Sequence, residues 1–345
     1  MLYRLARPLL FSLPAETAHT LSVRALECAP QGRRAAPRPS LVQRVAGIAF
    51  PNPVGLAPGY DKNGQVPDAL FGLDFGFVEI GTVTPKPQAG NPRPRLFRLV
   101  EDEAVINRMG FNNDGAEVVS RRLTQRLGRP GIVGANIGAN KDSVDRVADY
   151  AEMTRIMAPL ATYLTVNISS PNTPGLRALQ GREALDDLLG RIHEARPADG
   201  APVFLKIAPD LIGEEIGMIV EASIAHRIDA LIVSNTTLER PASLRSAYKG
   251  EAGGLSGAPL KPFAQKALEA AAEAAGGRLP LIAVGGIADG ADAYARIRAG
   301  ASAVQVYSAL IYEGPGMVGR IKRDLAARLR ADGFASMAEA TASGR

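Results

Sequence analysis

The stretch Asn167-Ile-Ser-Ser-Pro-Asn-Thr-Pro-Gly175 gathers Asn167, Ser169, Ser170, Asn172 and Thr173 within nine residues. Pro171 and Pro174 fix φ, and Gly175 lets the chain turn. A stiff loop dense in amides and hydroxyls can hold a small polar ligand, and a hydroxyl in it can move a proton once activated. An ordinary Ser/Asn/Pro turn is the structural alternative. A second candidate is Lys206, which ends the apolar run Val203-Phe-Leu-Lys206. An ammonium there costs desolvation unless it meets an anion. It could be a Schiff-base nucleophile, a fixed cation beside an electron-rich ligand, or a surface lysine. Asn107-Arg-Met-Gly-Phe-Asn-Asn113 supplies amides at both ends, suited to reading planar amide and carboxylate groups. Gly285-Gly286 allows backbone N–H groups to approach a phosphate, or is only a tight turn.

These residues gain meaning from the elements that must carry them. Short apolar runs at 54–56, 77–81, 132–136, 163–167, 203–207, 230–234, 281–285 and 303–307 alternate with helical patterns near 64–72, 115–127, 143–159, 182–195, 213–226, 259–275, 289–299 and 315–332. Eight βα units predict an α/β fold, a (β/α)8 TIM barrel with an N-terminal helical hairpin extension. A doubly wound sheet would more often carry Gly-x-Gly-x-x-Gly after its first strand, and residues 55–64 lack that spacing. In a barrel the candidates above all fall at the C-terminal face. No carboxylate stands at a strand tip, Asp61 being the nearest. The site is therefore expected to be donor-rich and to take something anionic, planar or phosphorylated, with Gly285-Gly286 and Tyr307-Ser308 as a phosphate cradle after the seventh and eighth strands. Connections 85–113 and 236–259 exceed the barrel minimum and suggest lids or extra substructures.

Composition narrows the classes. The chain has 345 residues, 46% hydrophobic and 22% charged, with one cysteine, Cys28, which excludes an intrachain disulfide. Three scattered histidines leave no plausible metal cluster. No apolar run spans a bilayer, and Pro8, Pro14 and Glu16 interrupt any secretory signal. Residues 1–44 hold seven Arg (4, 7, 24, 33, 34, 38, 44) against Glu16 and Glu27, a net +5 that equals the whole chain's. The basicity belongs to the leader, which argues against nucleic acid as a partner of the body. Residues 2–11 and the segment after Ser12 read as two short helices, with Ser12 as the second one's cap and Pro14 in its first turn. Leu5, Leu9 and Leu10 lie on one side of the first, and Ala18, Leu21, Ala25 and Leu26 on one side of the second. An apolar hairpin edged with Arg suits an anionic bilayer surface. It could equally be a hairpin packed on the barrel. Residues 31–40 read as a linker, giving a leader of 1–40, a barrel of 41–335 and a tail of 336–345.

Ala57-Pro-Gly-Tyr-Asp-Lys62, Glu79-Ile-Gly-Thr-Val-Thr-Pro-Lys-Pro-Gln88, Gly90-Asn-Pro-Arg-Pro-Arg95, Ile106-Asn-Arg-Met-Gly-Phe-Asn112, Asn167-Ile-Ser-Ser-Pro-Asn172, Ser234-Asn-Thr-Thr237, Gly253-Gly-Leu-Ser-Gly257 and Gly285-Gly-Ile287 together resemble the dihydroorotate dehydrogenases, in that family's order and over nearly the whole chain. The likeness is to the membrane-associated, quinone-reducing class 2, since Ser170 stands where class 1 enzymes carry a cysteine and the leader hairpin is present. Pro58 occupies a place often held by a small residue. The resemblance implies a bound FMN and oxidation of dihydroorotate to orotate in pyrimidine synthesis, with ubiquinone or menaquinone as acceptor, at the cytoplasmic side of the cell membrane as a peripheral protein on the lipid bilayer surface. It implies Ser170 as general base, with Thr173 or a water as its activator, and Lys206 as a cation beside the flavin. Lys62, Asn107, Arg108, Met109, Gly110, Phe111, Asn172, Asn235 and Thr236 would hold the orotate ring. Pro58, Gly59, Tyr60, Asp61, Lys62, Thr82, Asn136, Asn167, Lys206, Ser234, Gly257, Gly286, Tyr307 and Ser308 would hold FMN, the last three at the phosphate. The leader would form a quinone tunnel, with His19 as a candidate polar contact. A flavin-free Schiff-base aldolase barrel and a non-catalytic binding protein are the rival classes.

Overall fold

The computed structural model describes residues 2–29 and 37–343. The strands are β1 (Gln43–Val45), β2 (Ile48–Phe50), β3 (Val54–Leu56), β4 (Phe77–Val83), β5 (Leu96–Leu99), β6 (Ala104–Asn107), β7 (Ile132–Ile137), β8 (Tyr163–Asn167), β9 (Val203–Ile207), β10 (Ala230–Val233), β11 (Gly254–Gly257), β12 (Leu281–Val284) and β13 (Ala301–Val306). The helices are α1 (Leu2–Ser12), α2 (Ala15–Glu27), α3 (Pro67–Phe71), α4 (Gly115–Arg126), α5 (Arg146–Met157), α6 (Arg182–Ala195), α7 (Gly213–Ala225), α8 (Lys261–Ala275), α9 (Gly290–Arg298), α10 (Ser308–Glu313), α11 (Met317–Ala331) and α12 (Met337–Ala342). Strands β3, β4, β7, β8, β9, β10, β12 and β13 pair in parallel and close a barrel, β13 returning to β3. Its eight strands and the helices between them are the (β/α)8 barrel that the alternation predicts.

Strand parity explains why every barrel strand is apolar. Successive side chains point to opposite faces. In β9, Val203, Leu205 and Ile207 face the helix layer, while Phe204 joins an interior cluster with Phe77, Tyr163, Ile232 and Ile282. Val45 and Phe50 of the β1–β2 hairpin belong to that interior cluster and plug the barrel's N-terminal end. Two residues further along the same strands, the interior turns polar: Glu79, Thr165, Lys206 and Gln305 are all buried. The strands thus carry an apolar base and a polar upper layer, and the site sits on the latter.

The two long connections meet. Residues of the first form β5 and β6, and the second supplies β11, which pairs antiparallel to β6 so that Gly254 lies opposite Asn107. They build one three-stranded sheet over the barrel mouth.

The leader forms two helices, as the spacing predicts, but Ser12 does not cap the second. Its Oγ donates to the Leu9 carbonyl, and Pro14 holds the N-cap position, ahead of the first turn. A hydroxyl still within reach of α1's last turn satisfies that helix's free carbonyl instead. The hairpin docks on the barrel through polar ties. Glu16 accepts from Arg95 Nη2 at 2.7 Å, Arg98 donates to the carbonyls of Leu10 and Phe11, and Tyr3 donates to the Ile311 carbonyl. It also leaves Leu5, Leu9 and Leu21 exposed. Of the linker assigned to 31–40, residues 31–36, with Arg33 and Arg34, lie outside what is described, as do the last two residues of the tail and the Arg4 side chain. Residues 337–342 form α12, with Met337 and Ala340 in the core. Among the described residues no helix is long and apolar enough to cross a membrane.

Candidate active site

A cavity of about 710 Å³ opens at the C-terminal ends of the barrel strands. That is room for a drug-sized ligand with space to spare. Its floor is polar, built by Thr82, Asn167, Ser170, Lys206, Ser234 and Gln305. Its outer part passes under the hairpin, where Leu10, Phe11, Ala18, Leu21, Ala25 and Leu26 line it. One space therefore joins a hydrogen-bonding end to an apolar channel.

The loop after β8 is held from several sides. Ser170 is 5% exposed, lines the cavity, and its Oγ accepts from the Asn172 N–H at 3.2 Å. No hydrogen bond joins it to Thr173 among the described residues. Ser169 faces away, donating to Asn167 Oδ1 and accepting from Asn235 Nδ2 at 2.9 Å. Asn172 donates to Asn107 Oδ1, and Asn91 Nδ2 bridges the carbonyls of Arg108 and Asn172. Arg177 clamps the loop to its neighbours by donating to the carbonyls of Ser169 and Thr236 and pairing with Asp210 at 2.6 Å. The loop is thereby tied down from the segment after β10 and from the lid.

The lid sheet completes the ring of amides. Thr236 Oγ1 and Asn112 Oδ1 are buried without a hydrogen-bond partner among the described residues, and both residues line the cavity. Burying a polar atom unsatisfied is costly, which marks both residues as candidates for ligand contact. Gly254 lets β11 pack closely on Thr236, since a Cβ there would stand 1.9 Å from Thr236 Oγ1.

Beneath the floor, Glu79 accepts from Asn136 Nδ2 at 2.7 Å, Tyr163 OH at 3.1 Å and Gln305 Nε2 at 2.6 Å. Lys206 lines the cavity and has no hydrogen bond or ion pair among the described residues. Burial pushes its ammonium below the usual lysine range, and the Glu79 charge opposes that. Gln305 Oε1 is another buried acceptor without a partner among the described residues.

At the rim, Ser308 Oγ lies 2.8 Å from Ser256 Oγ, beside Gly257 and Gly286. Gly286 has φ +69°, and a Cβ on it would stand 2.4 Å from Lys261 Cα. Backbone this open can close around a phosphate. Tyr307 points elsewhere: its OH donates to the Gly59 carbonyl and its ring meets Tyr60 edge-on. Lys62 Nζ donates to the Gly59 carbonyl at 2.7 Å, and burial pushes its ammonium down to about 8. His19 Nε2 lies 2.8 Å from the Tyr60 carbonyl; burial first, then the Lys62 charge, pushes its imidazole down to about 4. Ser22 Oγ accepts a hydrogen bond from the Tyr60 hydroxyl at 2.9 Å.

Most of the residues singled out from sequence converge on this cavity: Pro58, Gly59, Tyr60, Lys62, Thr82, Asn107, Met109, Gly110, Phe111, Asn167, Ser170, Asn172, Lys206, Ser234, Asn235, Thr236, Gly257, Gly286, Tyr307 and Ser308. Of the residues assigned to substrate or cofactor, three do not line it, and neither do Ser169 and Thr173 of the β8 loop. Asp61 turns its carboxylate onto the backbone N–H groups of Gln65 and Val66. Arg108 reaches out to Glu251 at 2.7 Å. Asn136 lies one layer down, its amide spent on Glu79, Thr82 and Asn167. Glu79 and Gln305 escaped the sequence reading because they sit inside strands rather than at tips. A charged residue within an apolar strand is the signal that could have found Glu79.

The family model described as "Dihydroorotate dehydrogenase" matches residues 40–329. A protein from Novosphingobium aromaticivorans named "Dihydroorotate dehydrogenase (quinone)" is 61% identical, with 99% of each chain covered. Its namesake from Erythrobacter litoralis is 58% identical over 99% of this chain and 100% of its own. A crystal structure of DHODH from Eimeria tenella in complex with ferulenol superposes with a TM-score of 0.90 at 41% identity, covering 94% of both chains.

Proposed function

The chain belongs to the dihydroorotate dehydrogenase family, and on that premise we propose that it oxidises dihydroorotate to orotate in pyrimidine synthesis, with FMN bound in the cavity and a membrane quinone as acceptor. The donor set fits such a cofactor. Lys206, whose ammonium has no hydrogen bond or ion pair among the described residues, two open glycine turns beside Ser256 and Ser308, and Gln305, whose amide oxygen has no partner among them, line one cavity. A planar, phosphorylated, electron-accepting ring would satisfy all of them. When bound, FMN supplies the redox group that takes two electrons from the substrate and yields them to the quinone.

The protein's part is binding, orientation and proton handling. Thr82, Asn167, Ser234 and Lys206 would hold the ring system, and Gly257, Gly286 and Ser308 its phosphate. Lys206 brings a fixed positive charge to a water-poor floor, where it acts more strongly than in bulk solvent. Asn107, Asn172, Asn235, Thr236 and Asn112 would read the substrate's imide edge, and Lys62 its carboxylate. Ser170 Oγ would take the proton from C5 of dihydroorotate. Its accepted bond from the Asn172 N–H fixes the oxygen's position. Asn136 and Asp61 would support the cofactor residues from behind, and Arg108 the lid.

The leader of 1–40 would admit the quinone beneath α1 and α2 to the barrel of 41–335, with 336–345 as a closing segment. The exposed Leu5, Leu9 and Leu21 would rest on the bilayer, placing the protein peripherally at the cytoplasmic face. Ubiquinone and menaquinone both suit an apolar channel. The observation that carries this reading is the continuity of the polar floor with that channel in one cavity. The test is turnover by the purified full-length chain in detergent, given dihydroorotate and a quinone. Stoichiometric orotate is expected, and no orotate with either quinone class would overturn the reading.

A further inference from the structure

Inside the barrel, one layer below the cavity, stands a carboxylate that the proposed chemistry does not use. Glu79 is fully buried. Three donors converge on its two oxygens, Asn136 Nδ2, Tyr163 OH and Gln305 Nε2, an arrangement that an ionised carboxylate satisfies. A carboxylate so placed can only accept. Each amide facing it must therefore present its nitrogen to the carboxylate.

The consequences run through the floor. Asn136 Oδ1, turned up, accepts from Thr82 Oγ1 and from Asn167 Nδ2 at 3.1 Å. Asn167, its nitrogen so engaged, directs Oδ1 to Ser169 and Asn235 Nδ2. Gln305 Oε1, its nitrogen turned to Glu79, is buried without a hydrogen-bond partner among the described residues, and Gln305 lines the cavity. One buried group thus sets the polarity of a chain of amides on both sides of the floor.

Glu79 also bears on Lys206. On the flanking strands, β8 presents Asn167 and β10 presents Ile232 level with Lys206. Across the interior stand Glu79, Asn136 and Gln305, with Tyr163 below. Burial drives the Tyr163 phenol up, so it stays neutral. Glu79 is the charge that acts on Lys206, and the two form no direct ion pair among the described residues. The ammonium is thus compensated from a distance and left free toward the ligand.

We propose that Glu79 is a positioning residue of the cavity floor, whose carboxylate anchors the Asn136 and Gln305 amides by their nitrogens and stands across the interior as the counter-charge of Lys206. This rests on the reading of Lys206 as the cation facing the cofactor. The experiment reads the Lys206 titration directly, by competitive acetylation and mass spectrometry of the full-length chain freed of flavin. Glu79→Gln should lower the Lys206 midpoint by about one pH unit or more, a tenfold change in its charged fraction at a given pH. Glu79→Asp should remain nearer wild type. In parallel, FMN affinity should fall with rising pH at a lower pH in Glu79→Gln than in wild type.

An unchanged Lys206 midpoint in Glu79→Gln overturns the proposal. If wild type binds no FMN, the proposed function falls, and the labelling still decides the Glu79–Lys206 coupling. If Glu79→Gln does not fold, the double variant Glu79→Gln/Lys206→Met should, because the uncompensated ammonium is gone. A double variant that stays unfolded also overturns the coupling.

Discussion

Replacing Ser170 with alanine separates chemistry from architecture. Ser170 is 5% exposed and, among the described residues, its Oγ makes one hydrogen bond, from the Asn172 N–H at 3.2 Å. Losing that bond costs folding about 1 kcal/mol or less, because the loop keeps the Arg177 clamp and the Asn91 bridge. Losing a general base costs a rate factor of about 10² to 10⁴, or roughly 3 to 5 kcal/mol in the barrier. The assay is single-turnover orotate formation at saturating dihydroorotate, with flavin content and melting temperature measured on the same sample. The variant should hold FMN and melt within a few degrees of wild type, yet form orotate at least a hundredfold more slowly. Ser170→Cys should keep more activity, since a thiol can still accept the proton. A Ser170→Ala rate within threefold of wild type would remove this hydroxyl from the mechanism.

Other expectations follow from the same geometry. The Lys62 ammonium, pushed down to about 8, is charged below that pH and neutral above it. If it holds the substrate carboxylate, kcat/KM should fall as pH rises through about 8, and a profile flat to pH 10 would free Lys62 of that role. Gly254→Ala would drive a Cβ to 1.9 Å from Thr236 Oγ1, so KM for dihydroorotate should rise at least tenfold while flavin stays bound. An unchanged KM would show that the lid sheet shifts without consequence. Deleting residues 2–38 should spare orotate formation with a dye acceptor and sharply slow reduction of a long-tailed quinone. A folded truncated protein reducing short- and long-tailed quinones at full-length rates would show that the hairpin is not the quinone's path.

What the sequence disclosed depended on where a residue sits along its strand. Lys206, Asn167 and Asn235 stand at strand ends, where all side chains converge, so position alone sufficed. Glu79 and Gln305 stand mid-strand, and whether such a residue faces the interior or the helices depends on register, set by barrel closure. The β5–β6–β11 sheet was legible only as two long connections, because its pairing joins residues some 150 apart. Side-chain direction was least legible. Arg108 and Asp61 belong to recognisable stretches, but a distant Glu251 and nearby backbone N–H groups claim them. Ser12 illustrates a local ambiguity, since a hydroxyl between two helices can serve either, and geometry gave it to the first.

The most direct test of the central claim is an anaerobic titration of the purified full-length chain with dihydroorotate. The account predicts a yellow protein whose visible flavin absorbance bleaches with one equivalent of dihydroorotate per flavin, releases one orotate, and returns on adding quinone. A colourless protein that gains no flavin absorbance from added FMN, or a flavin that dihydroorotate leaves oxidised, would contradict it.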